Sequence, residues 1–113
     1  MDIEVDTLPG NVSCIRLLGR MDSASVDGAE IRFSAAVVAP GHNAVVDLSG
    51  VSFLASMGIR LFITSARALS AKGARMVLYG ANDMVRNVLE HVALDQIIPI
   101  VGSQEQAVAK LAS

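Results

Sequence analysis

The stretch VVDLSGVSFLASMGIR, residues 45–60, joins two patterns that belong to different secondary structures. Residues 44–48 are short and continuously apolar except for Asp47, which predicts a buried strand lying parallel to a neighbour. From Met57 to about Ala71 the apolar residues recur at helical spacing, and residues 49–56 are predicted to be a loop between strand and helix. This order indicates an α/β fold, with Ser56 at the junction.

Strands and helices also alternate in the rest of the chain. The turn residues LPGN (8–11) separate two short strand patterns, which predicts an N-terminal hairpin. Strands are predicted at 2–7, 12–18, 44–48, 74–80 and 96–101, and helices at 24–38, 57–71, 81–94 and 103–113. The order β-β-α-β-α-β-α-β-α predicts one α/β domain over residues 1–113, with a mixed sheet of about five strands and about four helices.

Polar residues precede three of the predicted helices and can cap them. Either Asp22 or Ser23 can accept a backbone N–H at the start of the first helix, and either Asn82 or Asp83 at the start of the third. The last helix follows Ser103, with a glutamine three residues further on, which is the pattern of a capping box.

The composition limits the classes of partner. The net charge of -2 gives no electrostatic reason to expect nucleic acid or an anionic membrane as partner. No apolar run reaches the ~18 residues that span a bilayer, and the acidic, alternating N-terminus lacks the features of a signal peptide. The single cysteine, Cys14, fits a reducing compartment and is expected to be a small buried residue. We therefore expect a cytoplasmic protein.

Ser56 has two interpretations at this stage. Serine is among the preferred N-cap residues, so Ser56 could simply cap the second helix. The start of a helix also holds an anion well, because its N–H groups are unpaired and its dipole end is positive. Gly58 has no side chain, so a protein or a phosphate could approach the backbone beside Ser56. Leu54 and Met57, on either side of Ser56, could form a partly exposed apolar patch.

Other polar residues give weaker signals. Arg60 lies one turn beyond Ser56 on the non-core side, either as part of a solvated face or as a contact with an acidic rim on a partner. Asp47 ends a buried strand as the phosphoacceptor of a receiver domain does, but the other acidic and lysine residues of such a site are missing, and bonding to loop amides fits better. His42 and His91 have no cysteine at metal spacing. We expect no metal, no cofactor and no catalysis by this chain.

The segment around Ser56 resembles the signature of STAS domains, and within them the bacterial anti-sigma factor antagonists. The matching residues in the segment are Asp47, Leu48, Ser49, Gly50, Phe53, Ser56, Gly58 and Ile59. An earlier family element at the end of the second strand is matched by GRMD, residues 19–22. The predicted order of strands and helices is also that of the family, so the resemblance covers nearly the whole chain.

The resemblance implies a partner switch. An unphosphorylated antagonist binds a histidine-kinase-like anti-sigma factor, which is also a serine kinase that phosphorylates it, and a phosphatase reverses the reaction. Carried over, Ser56 is the phosphoacceptor. Apart from the resemblance, Ser49 and Ser52 are alternative phosphoacceptors, although Ser49 fits a turn with Gly50 better. We expect partner contacts at Asp22, Leu54, Ala55, Met57, Gly58 and Arg60. Of these, Asp22 is carried over from the family, whose helix-1 loop lies near the phosphosite. Ala55 and Met57 stand where many members have an Asp and a second Ser or Thr.

Two other functions are compatible with the sequence. One is a STAS subunit that is never phosphorylated and regulates or scaffolds another complex, such as a lipid transporter or a stress sensor. The other is a domain that binds a small ligand or nucleotide without a protein partner. The sequence leaves the oligomeric state open, a homodimer included.

Overall fold

The computed structural model describes residues 1–112. Its main elements are β1 Asp2–Leu8, β2 Val12–Met21, α1 Ser23–Val37, β3 Ala44–Leu54, α2 Ser56–Ala71, β4 Met76–Tyr79, α3 Asp83–His91, β5 Ile100–Val101 and α4 Gln104–Ala112. The predicted α/β class, with a mixed five-stranded sheet and four helices, is confirmed. The predicted end of the last helix, at Ser113, lies outside the described residues.

The five strands lie in the order β1-β2-β3-β4-β5, so each strand pairs with the next one along the chain. β1 and β2 are antiparallel, and Gly10 and Asn11 turn the chain between them with φ angles of 82° and 60°. The other pairs are parallel. Because parallel strands end at the same edge of a sheet, the loops after β2, β3 and β4 lie together at its carboxyl edge.

The apolar core occupies both faces of the sheet. α1, α2 and α3 cover one face, where Phe33 and Phe62 are fully buried with their ring centroids 6.1 Å apart. Of the described helices, α4 covers the other face, where Ala107 packs in a smaller cluster with Val12, Cys14, Val45, Val77 and Tyr79. α4 packs chiefly on β3, β4 and β5, which leaves the sheet beside β1 more open.

The prediction of a loop at residues 49–56 is wrong, because β3 continues as far as Leu54. Its neighbour β2 continues too, and the two strands remain paired up to Met21 and Leu54. Two register shifts, opposite residues 16–18 and 19–20 of β2, interrupt the pairing. These irregularities break the alternation of buried and exposed residues. The sequence of this segment therefore lacks the two-residue hydrophobic period by which a half-buried strand is predicted.

The prediction of a strand at residues 96–101 holds only for Ile100 and Val101. Ala93 adopts a left-handed conformation with φ of 56°, just beyond the end of α3, and a short 3₁₀ helix, Leu94–Gln96, follows. Leu94 and Ile98 are buried in the core. The apolar character of this segment therefore reflects the burial of an irregular connection rather than a longer strand.

Gly58 lies in the first turn of α2 and is buried against the end of β3. A Cβ atom at this position would lie 2.6 Å from Leu54 Cδ1 and 3.3 Å from Met21 Cβ. Because Gly58 has no side chain, α2 can start directly above Met21 and Leu54, the last paired residues of β2 and β3. The prediction that Gly58 opens its backbone to a partner or a phosphate is wrong, because Leu54 and Met21 fill that space.

Alanine at Gly58 is expected to destabilise the protein. The added methyl group must displace the end of the Leu54 side chain, which is buried and has buried Met21 beside it. Overpacking of this kind costs about 1–3 kcal/mol, which equals or exceeds the roughly 1 kcal/mol that alanine gains over glycine in a helix. Urea unfolding should show a lower midpoint for Gly58→Ala. The matched control is Gly28→Ala in α1, where nothing lies within 4 Å of the added Cβ, and its midpoint should rise. Equal shifts of the two midpoints would contradict this account.

Candidate functional site

Ser56 is the first residue of α2, and its side chain is exposed. The cap position belongs to Ala55, which offers no side-chain cap and donates its N–H to the carbonyl of Met21 at 3.0 Å. The Ser56 hydroxyl makes no hydrogen bond to any of residues 1–112. The interpretation of Ser56 as the helix N-cap is therefore wrong, and its hydroxyl faces solvent without a structural partner.

Apolar side chains flank Ser56 along the chain. Phe53, Ala55 and Met57 are each half-buried, so part of every one of these side chains is accessible. Leu54 is only 5% exposed, and the prediction that it forms a partly exposed patch with Met57 is wrong for Leu54. Its side chain faces the core beneath α2, whereas Phe53, Ala55 and Met57 provide the accessible apolar surface next to the hydroxyl.

The start of α2 favours negative charge. Gly58 and Ile59 donate their N–H groups to the Ala55 carbonyl at 3.0 and 3.3 Å, while the first two helical N–H groups lack an acceptor inside the helix. No acidic residue lies in the first turn. Arg60 is exposed and makes no ion pair with any residue from 1 to 112. It follows Ser56 by four residues, which places both side chains on the same face of α2.

Asp22 lies in the neighbouring loop and is the N-cap of α1, which settles the choice between Asp22 and Ser23. Its carboxylate accepts hydrogen bonds from the Ser25 hydroxyl at 2.6 Å and the Ser25 N–H at 3.0 Å. These bonds, and to a smaller extent Arg20, hold the pKa of Asp22 below its ordinary value. Because Met21, one residue earlier, accepts the Ala55 N–H, the N-terminal ends of α1 and α2 lie side by side.

Sequence reasoning missed Arg20. Its guanidinium lies over the ring of Phe53, 4.3 Å from the ring centroid, and approaches the Asp22 carboxylate at 3.5 Å. Arg20 therefore adds a cation beside the apolar surface. The contact depends on the pairing of Arg20 with Phe53, which follows a register shift that the sequence pattern does not reveal.

Asp47 has a structural environment. It is 6% exposed, its Oδ1 accepts the Ser49 N–H at 2.9 Å, and its Oδ2 accepts from Arg16 Nε at 3.2 Å. This agrees with the interpretation that Asp47 binds nearby amides. The expected turn at Ser49 and Gly50 is wrong, because both lie within β3. A Cβ at Gly50 would lie 3.0 Å from the carbonyl oxygen of Leu17, so glycine permits the strands to approach here.

The single cysteine, the possible metal ligands and the helices complete the search for functional groups. Cys14 is buried, with its sulfur 3.8 Å from the hydroxyl of Tyr79. Burial, followed by the Cys14 contact, raises the pKa of Tyr79 above its ordinary value. Across residues 1–112 no cluster of three or more histidine, cysteine or acidic side chains could hold a metal ion. None of the helices in this range is both long and apolar enough to cross a membrane.

The lowered pKa of Asp22 predicts a pH-dependent difference between the wild type and Asp22→Asn. Asparagine is an equally good N-cap but lacks the charge that the Ser25 bonds stabilise. The contribution of that charge is complete above the ordinary value of 3.8 and is lost as the pH falls through the lower folded pKa. Melting curves at pH 3 to 7 should show a higher Tm for wild type near neutrality and convergence in acid. A difference independent of pH would contradict this account.

Comparison with known proteins gives relatives of nearly the same length. BtrV of Bordetella bronchiseptica is 27% identical over 110 residues, covering 96% of this chain and 93% of the relative. The anti-sigma F factor antagonist of Lysinibacillus sphaericus is 25% identical over 112 residues, covering 98% of this chain and 95% of the relative.

Solved structures share the fold. An anti-sigma factor antagonist from Mycobacterium paratuberculosis superposes with a TM-score of 0.87 at 23% identity, covering 99% of this chain and 94% of that one. The Bacillus cell fate determinant SpoIIAA, in its phosphorylated form, gives a TM-score of 0.69 at 21% identity, covering 96% and 98%. The family profile of the STAS domain matches residues 2–107, and the chain therefore belongs to the STAS domain family.

Proposed function

We propose that this protein is an anti-sigma factor antagonist whose docking surface surrounds Ser56 and is switched by phosphorylation of that residue. The observation that carries the proposal is the exposed Ser56 hydroxyl, free of hydrogen bonds to residues 1–112, at the first position of α2. A structural serine at a helix start would cap it. This one does not, which leaves its hydroxyl accessible to a kinase.

A phosphate on Ser56 is compatible with the fold. It would add roughly -1.5 to -2 charges at a helix N-terminus, where the unpaired N–H groups and the helix dipole stabilise negative charge. No acidic side chain in the first turn of α2 would repel it. Arg60, four residues on and without an ion pair to residues 1–112, can approach the phosphate from the same face. Phosphorylation would therefore leave the folded state intact.

The same phosphate would oppose docking. The accessible parts of Phe53, Ala55 and Met57 form an apolar surface that a partner would cover, and covering it would remove water from a doubly charged group. Binding and phosphorylation are thus mutually exclusive for a physical reason, which is the property that a switch needs.

The partner is an anti-sigma factor that also acts as the serine kinase, and a phosphatase restores the binding form. The chain supplies a hydroxyl and a surface, while the kinase supplies the base and the metal. Ala55 and Met57, which replace an Asp and a second hydroxyl residue found in many family members, therefore do not preclude phosphoryl transfer. In this role the protein is a cytoplasmic binding module and a kinase substrate rather than an enzyme.

The proposal is tested with baits of the full chain in lysate of the source cells, with Mg-nucleotide present. Ser56→Ala should retain a histidine-kinase-like protein, and Ser56→Asp should bind it about tenfold more weakly. Wild type should retain less of this partner than Ser56→Ala, because the kinase can phosphorylate it in the presence of Mg-nucleotide. The matched control is Ser70→Asp, an exposed serine on the same helix about 20 Å away. It adds the same charge and should retain the partner.

Three results would contradict the proposal. The first is equal retention of the partner by Ser56→Asp and Ser56→Ala. The second is equal loss by Ser56→Asp and Ser70→Asp, which would indicate a general effect of charge. The third is a shared partner of another kind, such as a transporter subunit, bound identically by all baits, which would favour a STAS subunit that is not switched.

A further inference from the structure

β1 forms one edge of the sheet, and its outer side pairs with no described strand. The strand has seven residues, so this edge is long. The N–H of Thr7 donates to its neighbour Asp6 at 2.8 Å, and the N–H of Ser13 on β2 donates to Asn43 rather than to β1. The pair Thr7–Ser13 is therefore not hydrogen-bonded. Hydrogen-bonded and non-hydrogen-bonded pairs alternate along an antiparallel ladder. The N–H and C=O groups of Ile3, Val5 and Thr7 therefore point away from β2, toward the open edge.

The two faces of this edge differ in chemistry. Asp2, Glu4 and Asp6 alternate on one face and are exposed. Ile3 and Val5 lie on the other face, and Val5 is 59% exposed. An added strand would therefore meet a carboxylate at every second position on one face and an apolar side chain on the other.

The carboxylates are only partly neutralised. Arg16 pairs with Glu4 at 3.2 Å, but the same guanidinium also binds Asp47 at 3.2 Å. Asp2 and Asp6 form no ion pair with any of residues 1–112. The acidic face of β1 thus keeps an excess of negative charge that the described chain does not balance.

A cavity of about 310 Å³ adjoins this acidic face. It lies between β1, β2 and the start of α4, and its lining includes Glu4, Asp6, Leu8, Cys14, Arg16 and Gln104. It is open to solvent because α4 packs chiefly on the other strands. The long aliphatic stem of a lysine or arginine could lie in this cavity with its charged end beside Glu4 or Asp6.

We propose that the edge of β1 is a second docking site, which adds an extended segment of a partner protein as a sixth strand. The segment carries basic residues at alternate positions and apolar residues between them. Outward backbone groups would supply the hydrogen bonds, and the carboxylates and the cavity would select the basic face. This site does not depend on Ser56 or on the anti-sigma partner.

A second copy of this chain does not fit the site. Antiparallel pairing of β1 with itself about a two-fold axis places acidic residues of one copy opposite those of the other, and like charges directly opposite destabilise a sheet. Charged side chains on an edge strand are a common protection against such association. The charges that repel a second copy attract a basic strand.

The test uses the full chain and an eight-residue peptide of alternating Lys and Val, with both ends blocked. NMR titration should give saturable shifts of the β1 amides at peptide concentrations up to about 1 mM, and slower hydrogen exchange at Ile3 and Val5. The same peptide with Glu in place of Lys should not bind. Added salt should weaken binding, because the carboxylates are exposed.

Two variants separate the backbone from the charges. Val5→Pro removes an N–H that points to the open edge, at a position where proline is tolerated. This variant should bind the peptide about tenfold more weakly. The control Val5→Thr keeps the N–H and should bind the peptide nearly as well as wild type. The double variant Asp2→Asn/Asp6→Asn should bind more weakly and respond less to salt. No saturable binding, equal binding by Val5→Pro, equal binding of the acidic peptide, or self-association of the chain through β1 would each overturn the proposal.

Discussion

The pairing of β2 with β3 beyond the regular part of the sheet is the constraint on which the candidate site depends. It continues to Met21 and Leu54, and the next residue, Ala55, still donates its N–H to Met21. Gly58 then lets the first turn of α2 rest on Leu54 without a side chain between them. These contacts fix the start of α2, so Ser56 is presented outward from a rigid base.

Polar contacts compensate for the irregular course of β3. Asp47 binds the Ser49 N–H and Arg16, and the Asn82 side chain both caps α3 and donates to the carbonyl of Val51 at 3.2 Å. No buried polar side-chain atom of residues 1–112 lacks a hydrogen-bond partner. The exposed Ser56 hydroxyl takes no part in these bonds. A change of charge at Ser56 can therefore alter binding without disturbing the bonds that hold the site.

The sequence predicts those features that depend on local pattern. The alternation of strands and helices and the exposed position of Arg60 follow from periodicity and side-chain chemistry. The sequence also narrows each of two helix caps to a pair of neighbouring residues, of which the structure uses Asp22 and Asn82. The continuation of β3, the burial of Leu54 and the contact of Arg20 with Phe53 do not follow, because each depends on the register between two strands and on shifts within it. Ser56 shows the limit of N-cap propensity, because the N-cap of α2 is the neighbouring Ala55 although serine is the preferred residue there.

The central claim is that Ser56 carries the phosphate that controls docking. The most direct test is to isolate the chain from its own cells under several growth conditions and to map phosphorylated peptides by mass spectrometry. The account predicts phosphate on Ser56 in a fraction of the molecules that varies with condition, and little or none on the exposed Ser49 and Ser52. Phosphate confined to Ser49 or Ser52, or an unmodified Ser56 under every condition, would contradict it.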